Sequence, residues 1–161
     1  MKTLILAAGK GTRMKSKYPK VLHKILNKPI INWVVDTAAL FSQQIGVVLG
    51  FGAQDVQKVL PPGVLVFEQK EQLGTGHAVM CAEEFLDSGE LLVLYGDVPL
   101  ISSATLNLLI EKHRKEKNDA TILTFELDNP TGYGRILKQN GKFVKIIEEK
   151  DANEQEKRIC E

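Results

Sequence analysis

The sequence predicts an α/β protein built on an open, mostly parallel sheet with helices on both faces, followed by a small β-hairpin. Three observations predict it. Strand-length apolar runs alternate with segments of helical period over the first two thirds of the chain, the pattern of βαβ units. The first run, Leu4-Ile5-Leu6-Ala7-Ala8, opens directly into Gly9-Lys10-Gly11-Thr12-Arg13-Met14, as when a strand delivers a ligand loop to the carboxyl edge of a sheet. Leu91-Leu92-Val93-Leu94 is apolar without alternation, as expected of a central strand buried on both sides. Such an architecture is Rossmann-like.

Along the chain, strands are expected at residues 3–7, 45–49, 64–67, 91–94, 120–125, 134–137 and 143–147. Helices are expected at 29–41, 53–60, 75–86 and 103–116, where the apolar residues follow helical spacing. Pro29 suits a first helical turn, which has no use for its missing N–H. Ser102 or Ser103 can cap the helix that follows Pro99. Asn140-Gly141 lies between the last two strand candidates. It predicts a type I′ hairpin, because both residues tolerate positive φ. Residues 151–161 are highly charged and read as a surface helix or a frayed tail. No hydrophobic strand follows them, so residues 1–161 are expected to form an incomplete domain.

Composition narrows the function classes. At 161 residues with 43% hydrophobic content the chain can bury a core. A net charge of +1 and few aromatic residues give no footprint for nucleic acid or a membrane surface. Cys81 and Cys160 make neither a disulfide framework nor a Cys-x-x-Cys pair, which fits a reducing cytoplasm. The apolar start ends too soon, in the glycine loop, to act as a signal peptide or membrane helix.

The loop after the first strand has phosphate-binding chemistry. Glycines leave backbone N–H groups free to approach an anion, and Lys10, Arg13 and Lys20 place positive charge beside them. A Walker loop is excluded, because Gly11 is followed by Thr12 rather than Lys. A dinucleotide fingerprint is excluded too, because Met14 takes the third glycine position. In Tyr95-Gly96-Asp97-Val98-Pro99, Asp97 follows the apolar run 91–94 directly. Its short carboxylate suits Mg²⁺ that bridges to phosphate, although a turn or cap role is the plainer alternative. Gln69-Lys70-Glu71-Gln72-Leu73-Gly74-Thr75-Gly76-His77 is a second glycine-bearing loop before a helix. The Gln69 amide can donate to and accept from a nucleobase edge, and Thr75 either caps the helix or meets the ligand. Residues 129–135 hold Gly132 and Gly134 around Tyr133 and read as a turn by default; Gly134 and then Glu148 offer contacts for a sugar. Glu149 and Lys150 read as solvated charges, His113 as a surface residue, and the His77–Cys81 pair as packing rather than a nucleophile.

Taken together, residues 6–14 with Pro19-Lys20-Val21-Leu22, then 71–78, 95–102 and 130–136, resemble the sugar-nucleotide pyrophosphorylases. The likeness is strongest to the N-terminal uridylyltransferase region of bacterial bifunctional enzymes that make UDP-N-acetylglucosamine. It runs over nearly the whole chain. Related thymidylyl- and molybdopterin-cofactor transferases share the first block alone. The resemblance implies that Leu6, Ala7, Ala8, Gly9 and Lys20 line the nucleotide, with Gln69, Gly74 and Thr75 on the uracil. It implies that Arg13 and Lys20 hold phosphates catalytically, Asp97 binds Mg²⁺, and Tyr95, Gly96, Gly134 and Glu148 serve the sugar. The implied partners are UTP, N-acetylglucosamine 1-phosphate, UDP-N-acetylglucosamine and pyrophosphate, in supply of cell-envelope precursors. The family's later Asn residues, the rest of its transferase domain and its left-handed β-helix acetyltransferase domain are expected to be missing, and with them a route to homo-oligomers. Another sugar-phosphate nucleotidyltransferase, or a nucleotide-binding fragment without turnover, stands as the alternative.

Overall fold

In the computed structural model, which describes residues 1–11, 14–86 and 89–161, strand β1 (Lys2–Ala7) runs between two parallel neighbours. These are β4 (Gln44–Leu49) and β6 (Leu91–Tyr95); β5 (Leu65–Glu68) continues the parallel sheet beyond β4, giving the order β5-β4-β1-β6. Successive side chains of a strand face opposite sides. Leu4 and Leu6 therefore join Val48 and Phe67 in a core closed by Ala78, Ala82 and Phe85. Ala78 belongs to helix α3 (Thr75–Met80), and Phe85 to a single 3-10 turn, Glu83–Phe85. The opposite face meets α1 (Ile30–Ala39), whose Ile31, Val34, Val35 and Ala38 are buried. There Thr3 and Ser42 share a buried hydroxyl hydrogen bond of 2.7 Å. Helices thus cover both faces of a parallel sheet, as predicted.

Several expectations change. Strand β6 is not buried on both sides: Leu92 and Leu94 are buried, but Val93 and Tyr95 are 40% and 52% exposed. Among the described residues no strand pairs with its outer edge. The expected strand at 120–125 forms no ladder, and Ile122, Leu123 and Phe125 are about half exposed. An apolar run becomes a strand only where neighbours pack on it, and among the described residues this run has no pairing partner. The third helix is shorter than its pattern: after Met80 the chain turns through Ala82 into the 3-10 turn, which brings Phe85 into the core. Helix α2 (Ala53–Gln57) is likewise short, and buries only Val56. A two-residue ladder between β2 (Lys24–Ile25) and β3 (Lys28–Pro29) also precedes α1, unforeseen from the sequence.

Two compact units make up the chain, Met1–Asn107 and Leu108–Glu161; the boundary falls within α4 (Ser103–Glu116), where Ser102 Oγ accepts the Thr105 N–H at 3.1 Å as an N-cap. In the second unit β7 (Arg135–Gln139) and β8 (Lys142–Ile147) form the predicted hairpin, with Asn140 at φ 53° and Gly141 at φ 76°. Residues 151–161 are neither a regular helix nor a frayed tail. Cys160 and Glu161 carbonyls accept N–H bonds from Leu127 and Ile136, both 2.9 Å. Nor is Glu149 simply solvated. Its Oε2 meets the guanidinium of Arg135 at 2.6 Å and the Gly132 N–H at 3.2 Å. Those two bonds, Arg135 first, hold its carboxyl below the usual carboxylate range. Arg135 itself is 1% exposed, and it also donates to the carbonyls of Tyr133 and Lys157.

Candidate nucleotide-binding site

The carboxyl ends of β1, β5 and β6 open into one cavity of about 480 Å³ within the first unit. Its lining includes Leu6, Ala7, Ala8, Gly9, Gly11 and Lys20 from the first block, Gln69, Gly74 and Thr75 from the second, and Tyr95 and Asp97 from the third. Parallel strands explain the convergence, since they deliver all their following loops to one edge. Gly9 has open space where a Cβ would stand, so its backbone faces the cavity uncovered. Gly11 serves differently. A Cβ there would lie 2.8 Å from Lys20 Cβ, so its absence lets the loop close onto the lysine stem. Pro19 is seated the same way, against Gly52. Arg13 and Thr12 lie outside the described residues. Lys10 is exposed and does not line the cavity.

Lys20 and Asp97 meet each other. Nζ and Oδ2 are 2.8 Å apart, and both side chains are 38% exposed. The pair uses one of three lysine donors and one of two carboxylate oxygens. Phosphate oxygens and a cation therefore have donors and an acceptor left beside one another.

The second loop is held by amides. Gln69 is 4% exposed, and its Nε2 donates to the Gly74 carbonyl and to His77 Nδ1, both at 3.0 Å. Gly74 has φ 103° and ψ 179° at the start of α3, a backbone state that a side chain would strain. Thr75 is the first helical residue and makes no capping bond. Gln72, which the sequence reading passed over, donates from Nε2 to the Ala8 carbonyl at 2.9 Å and lines the cavity. Its place three residues beyond Gln69 in the same motif was the available signal. Cys81 Sγ is 3.9 Å from both His77 ring nitrogens, and His77 Nδ1 already faces Gln69 Nε2, so the pair is read as packing rather than as a nucleophile-base dyad.

The sugar candidates divide. Tyr95 lines the cavity. Gly96 is buried instead, where a Cβ would come within 2.9 Å of Ala7 Cβ and Ile31 Cδ1. Gly134 and Glu148 belong to the second unit: Gly134 lies close against Ile146, and Glu148 is exposed. Among the described residues no three His, Cys, Asp or Glu side chains cluster as a metal cage. Asp97 stands as a single carboxylate. That fits Mg²⁺, which typically takes one or two carboxylates together with substrate phosphates.

The MobA-like NTP transferase domain matches residues 3–156. The chain belongs to this family. Within it, this NTP transferase domain is 60% identical to the bifunctional protein GlmU of Fervidobacterium nodosum over 162 residues, covering 100% of this chain and 35% of that protein. It is 56% identical to GlmU of Thermotoga maritima over 160 residues, covering 99% of the chain and 36% of the protein. The chain thus spans about a third of the length of the curated relatives it matches. Among solved structures it resembles UDP-glucose pyrophosphorylase from Acinetobacter baumannii, with TM-score 0.68, 20% identity, and coverage of 92% of this chain and 67% of that one. A glucose-1-phosphate thymidylyltransferase assigned in Bacillus anthracis gives TM-score 0.69 at 22% identity over 92% and 64%. A manganese complex of Mycobacterium tuberculosis Rv0371c gives 0.56 at 22% over 68% and 57%. These likenesses establish the nucleotidyltransferase fold. No helix among the described residues is long and apolar enough to cross a membrane.

Proposed function

We propose that this chain carries the uridylyltransferase site of a UDP-N-acetylglucosamine pyrophosphorylase, joining UTP and N-acetylglucosamine 1-phosphate with release of pyrophosphate. The observation that carries the reading is one cavity lined at once by a base-reading amide (Gln69), uncovered glycine backbone (Gly9), a cation (Lys20) and a carboxylate (Asp97). High identity to GlmU proteins along the whole chain supports uridine and this sugar. Residues 1–161 are read as the N-terminal part of that transferase domain, acting in the cytoplasm on envelope precursors.

The chemistry needs no protein base. A sugar 1-phosphate is largely dianionic near neutral pH, so its oxygen can attack the α-phosphorus of UTP while pyrophosphate leaves. The chain must hold two anions that repel and offset the charge that develops. Lys20 and Arg13 bind phosphate oxygens, Gln69, Gly74 and Thr75 hold the base, and Tyr95 serves the sugar, with Gly96 packing beneath. Mg²⁺, held by Asp97 together with phosphates, would supply Lewis-acid neutralisation. The manganese in the Rv0371c complex supports a divalent ion.

Calorimetric titration with UTP, with and without Mg²⁺, tests this alongside pyrophosphate release. Wild type is expected to bind UTP more tightly with Mg²⁺, and Asp97→Asn to lose that enhancement while keeping its fold. An Asp97→Asn protein with the wild-type Mg²⁺ response removes Asp97 from the metal site. Stronger turnover with another nucleotide or sugar phosphate moves the assignment to a sister transferase, and binding without turnover to a nucleotide-binding fragment.

A further inference from the structure

We infer that His77 is a positioning residue for base selection, its Nδ1 holding the Gln69 amide in the orientation that turns Oε1 toward the cavity. The inference rests on the nucleotide reading above and adds a residue to it. Gln69 Nε2 lies 3.0 Å from the Gly74 carbonyl and 3.0 Å from His77 Nδ1. A carbonyl only accepts, so the amide nitrogen must face it, and both N–H groups are then engaged. His77 Nδ1 can accept the second only in the neutral ring with its proton on Nε2. A flipped amide would set Oε1 against two acceptors.

The acceptors are themselves fixed. The Gly74 carbonyl also takes the Ala78 N–H at 3.1 Å, the bond that starts α3, and His77 sits in that same first turn. Gln69 Oε1 accepts no hydrogen bond from the described residues. The one side-chain polar atom among the described residues that is wholly buried without a partner is Asn32 Oδ1. Oε1 is therefore reached from the cavity that Gln69 lines. An oriented acceptor selects a donor. Uracil presents N3–H where cytosine presents an unprotonated N3, so the fixed amide favours uridine over cytidine nucleotides. Were the amide free to turn, it would offer a donor to cytosine equally well, and the preference would fade.

Two measurements on the full chain test this. Nitrogen-15 NMR without nucleotide should show a scalar coupling across the hydrogen bond between Gln69 Nε2 and His77 Nδ1, with the His77 proton on Nε2. A proton on Nδ1 overturns the inference. Calorimetric titration with UTP and with CTP should then show His77→Phe narrowing the UTP preference by about fivefold, the worth of one neutral hydrogen bond. His77→Asn, with Oδ1 near the place of Nδ1, should recover most of it. Equal weakening toward both nucleotides, with the ratio unchanged, makes His77 a packing residue and overturns the proposal. A wild type without UTP preference overturns base reading by Gln69 and the selection claim together. That outcome is distinguishable because the NMR coupling persists in it.

Discussion

In the first unit the large side chains withdrawn from solvent are Leu4, Ile5, Ile31, Leu49 and Leu106, whereas in the second the one large side chain withdrawn is Arg135. The contrast extends to titration. Among the described residues, Glu116, Glu149 and Glu161 are the carboxyls held below the ordinary carboxylate value of 4.5, and all three lie in the second unit. Each is lowered first by a cation that donates to it: Lys112, Arg135 and Lys138. A parallel sheet covered on both faces can be closed by hydrocarbon alone, because its backbone bonds to itself. A two-stranded hairpin has too little apolar area for that, and this one organises around a satisfied guanidinium. The site is built on the unit whose largest fully buried side chains are hydrocarbon.

That comparison can be broken or sharpened in four ways. Leu4→Ala should have the largest effect, about 3–4 kcal/mol lost from the first unit, because it opens a cavity among Val48, Phe67 and Phe85. Trp33, the single tryptophan, lies in α1 and reports that unit by fluorescence in a denaturant titration. The loss should be the same at pH 7 and near pH 4.

Arg135→Ala should act in the other unit, lowering amide-exchange protection in β7 and β8 by about a hundredfold at pH 7. The Trp33 transition should not move. Here the sign of the pH dependence is decisive. A carboxyl lowered in the fold stabilises above its ordinary value of 4.5, and that contribution is lost as pH falls through the lowered value. The gap between wild type and Arg135→Ala should therefore shrink below pH 4.5, as wild type loses protection. A gap independent of pH would show that packing of the arginine stem, and not the ion pair, holds the hairpin.

Lys20→Ala should weaken UTP binding by about 1.5–3 kcal/mol, the loss of a charge-assisted bond, with both folding signals unchanged. An unaltered affinity in calorimetry removes Lys20 from the phosphate site. Gly9→Ala is the smallest change, about 1 kcal/mol in UTP affinity. The added methyl meets no protein atom within 4 Å but enters the cavity, so stability should hold while binding falls.

Much of this was legible in the residues. The four parallel strands announce themselves as short apolar runs set between helical segments, and Asn140-Gly141 because only residues tolerant of positive φ fit its turn. What escaped was set by neighbours rather than by local pattern. The run at 91–94 shows that β6 is apolar, not that it lies at an edge. Leu26 and Asn27 both adopt positive φ between β2 and β3, and a leucine there gives no turn signal. Arg135 looks like any cation at a strand end until its partners are in place. In the site, the glycine loops and Lys20, Gln69 and Asp97 were readable as chemistry. The Lys20–Asp97 contact, 77 residues apart in sequence, was not, because it exists only once the strands have aligned, and the Gln69–His77 bond was not, because it depends on how the loop turns into α3.

Gly52 shows how far the requirements of a binding loop can reach. It has φ 68°, and a Cβ there would stand 2.3 Å from Pro19 Cγ. Any side chain at this position displaces the proline that precedes Lys20. Gly52 has no side chain to offer a ligand and does not line the cavity. Its replacement would nonetheless mimic loss of the lysine charge, by moving that charge rather than deleting it. In a survey of loss-of-function variants it would score as a binding-site position, although its own contact is only a vacancy that a proline ring fills.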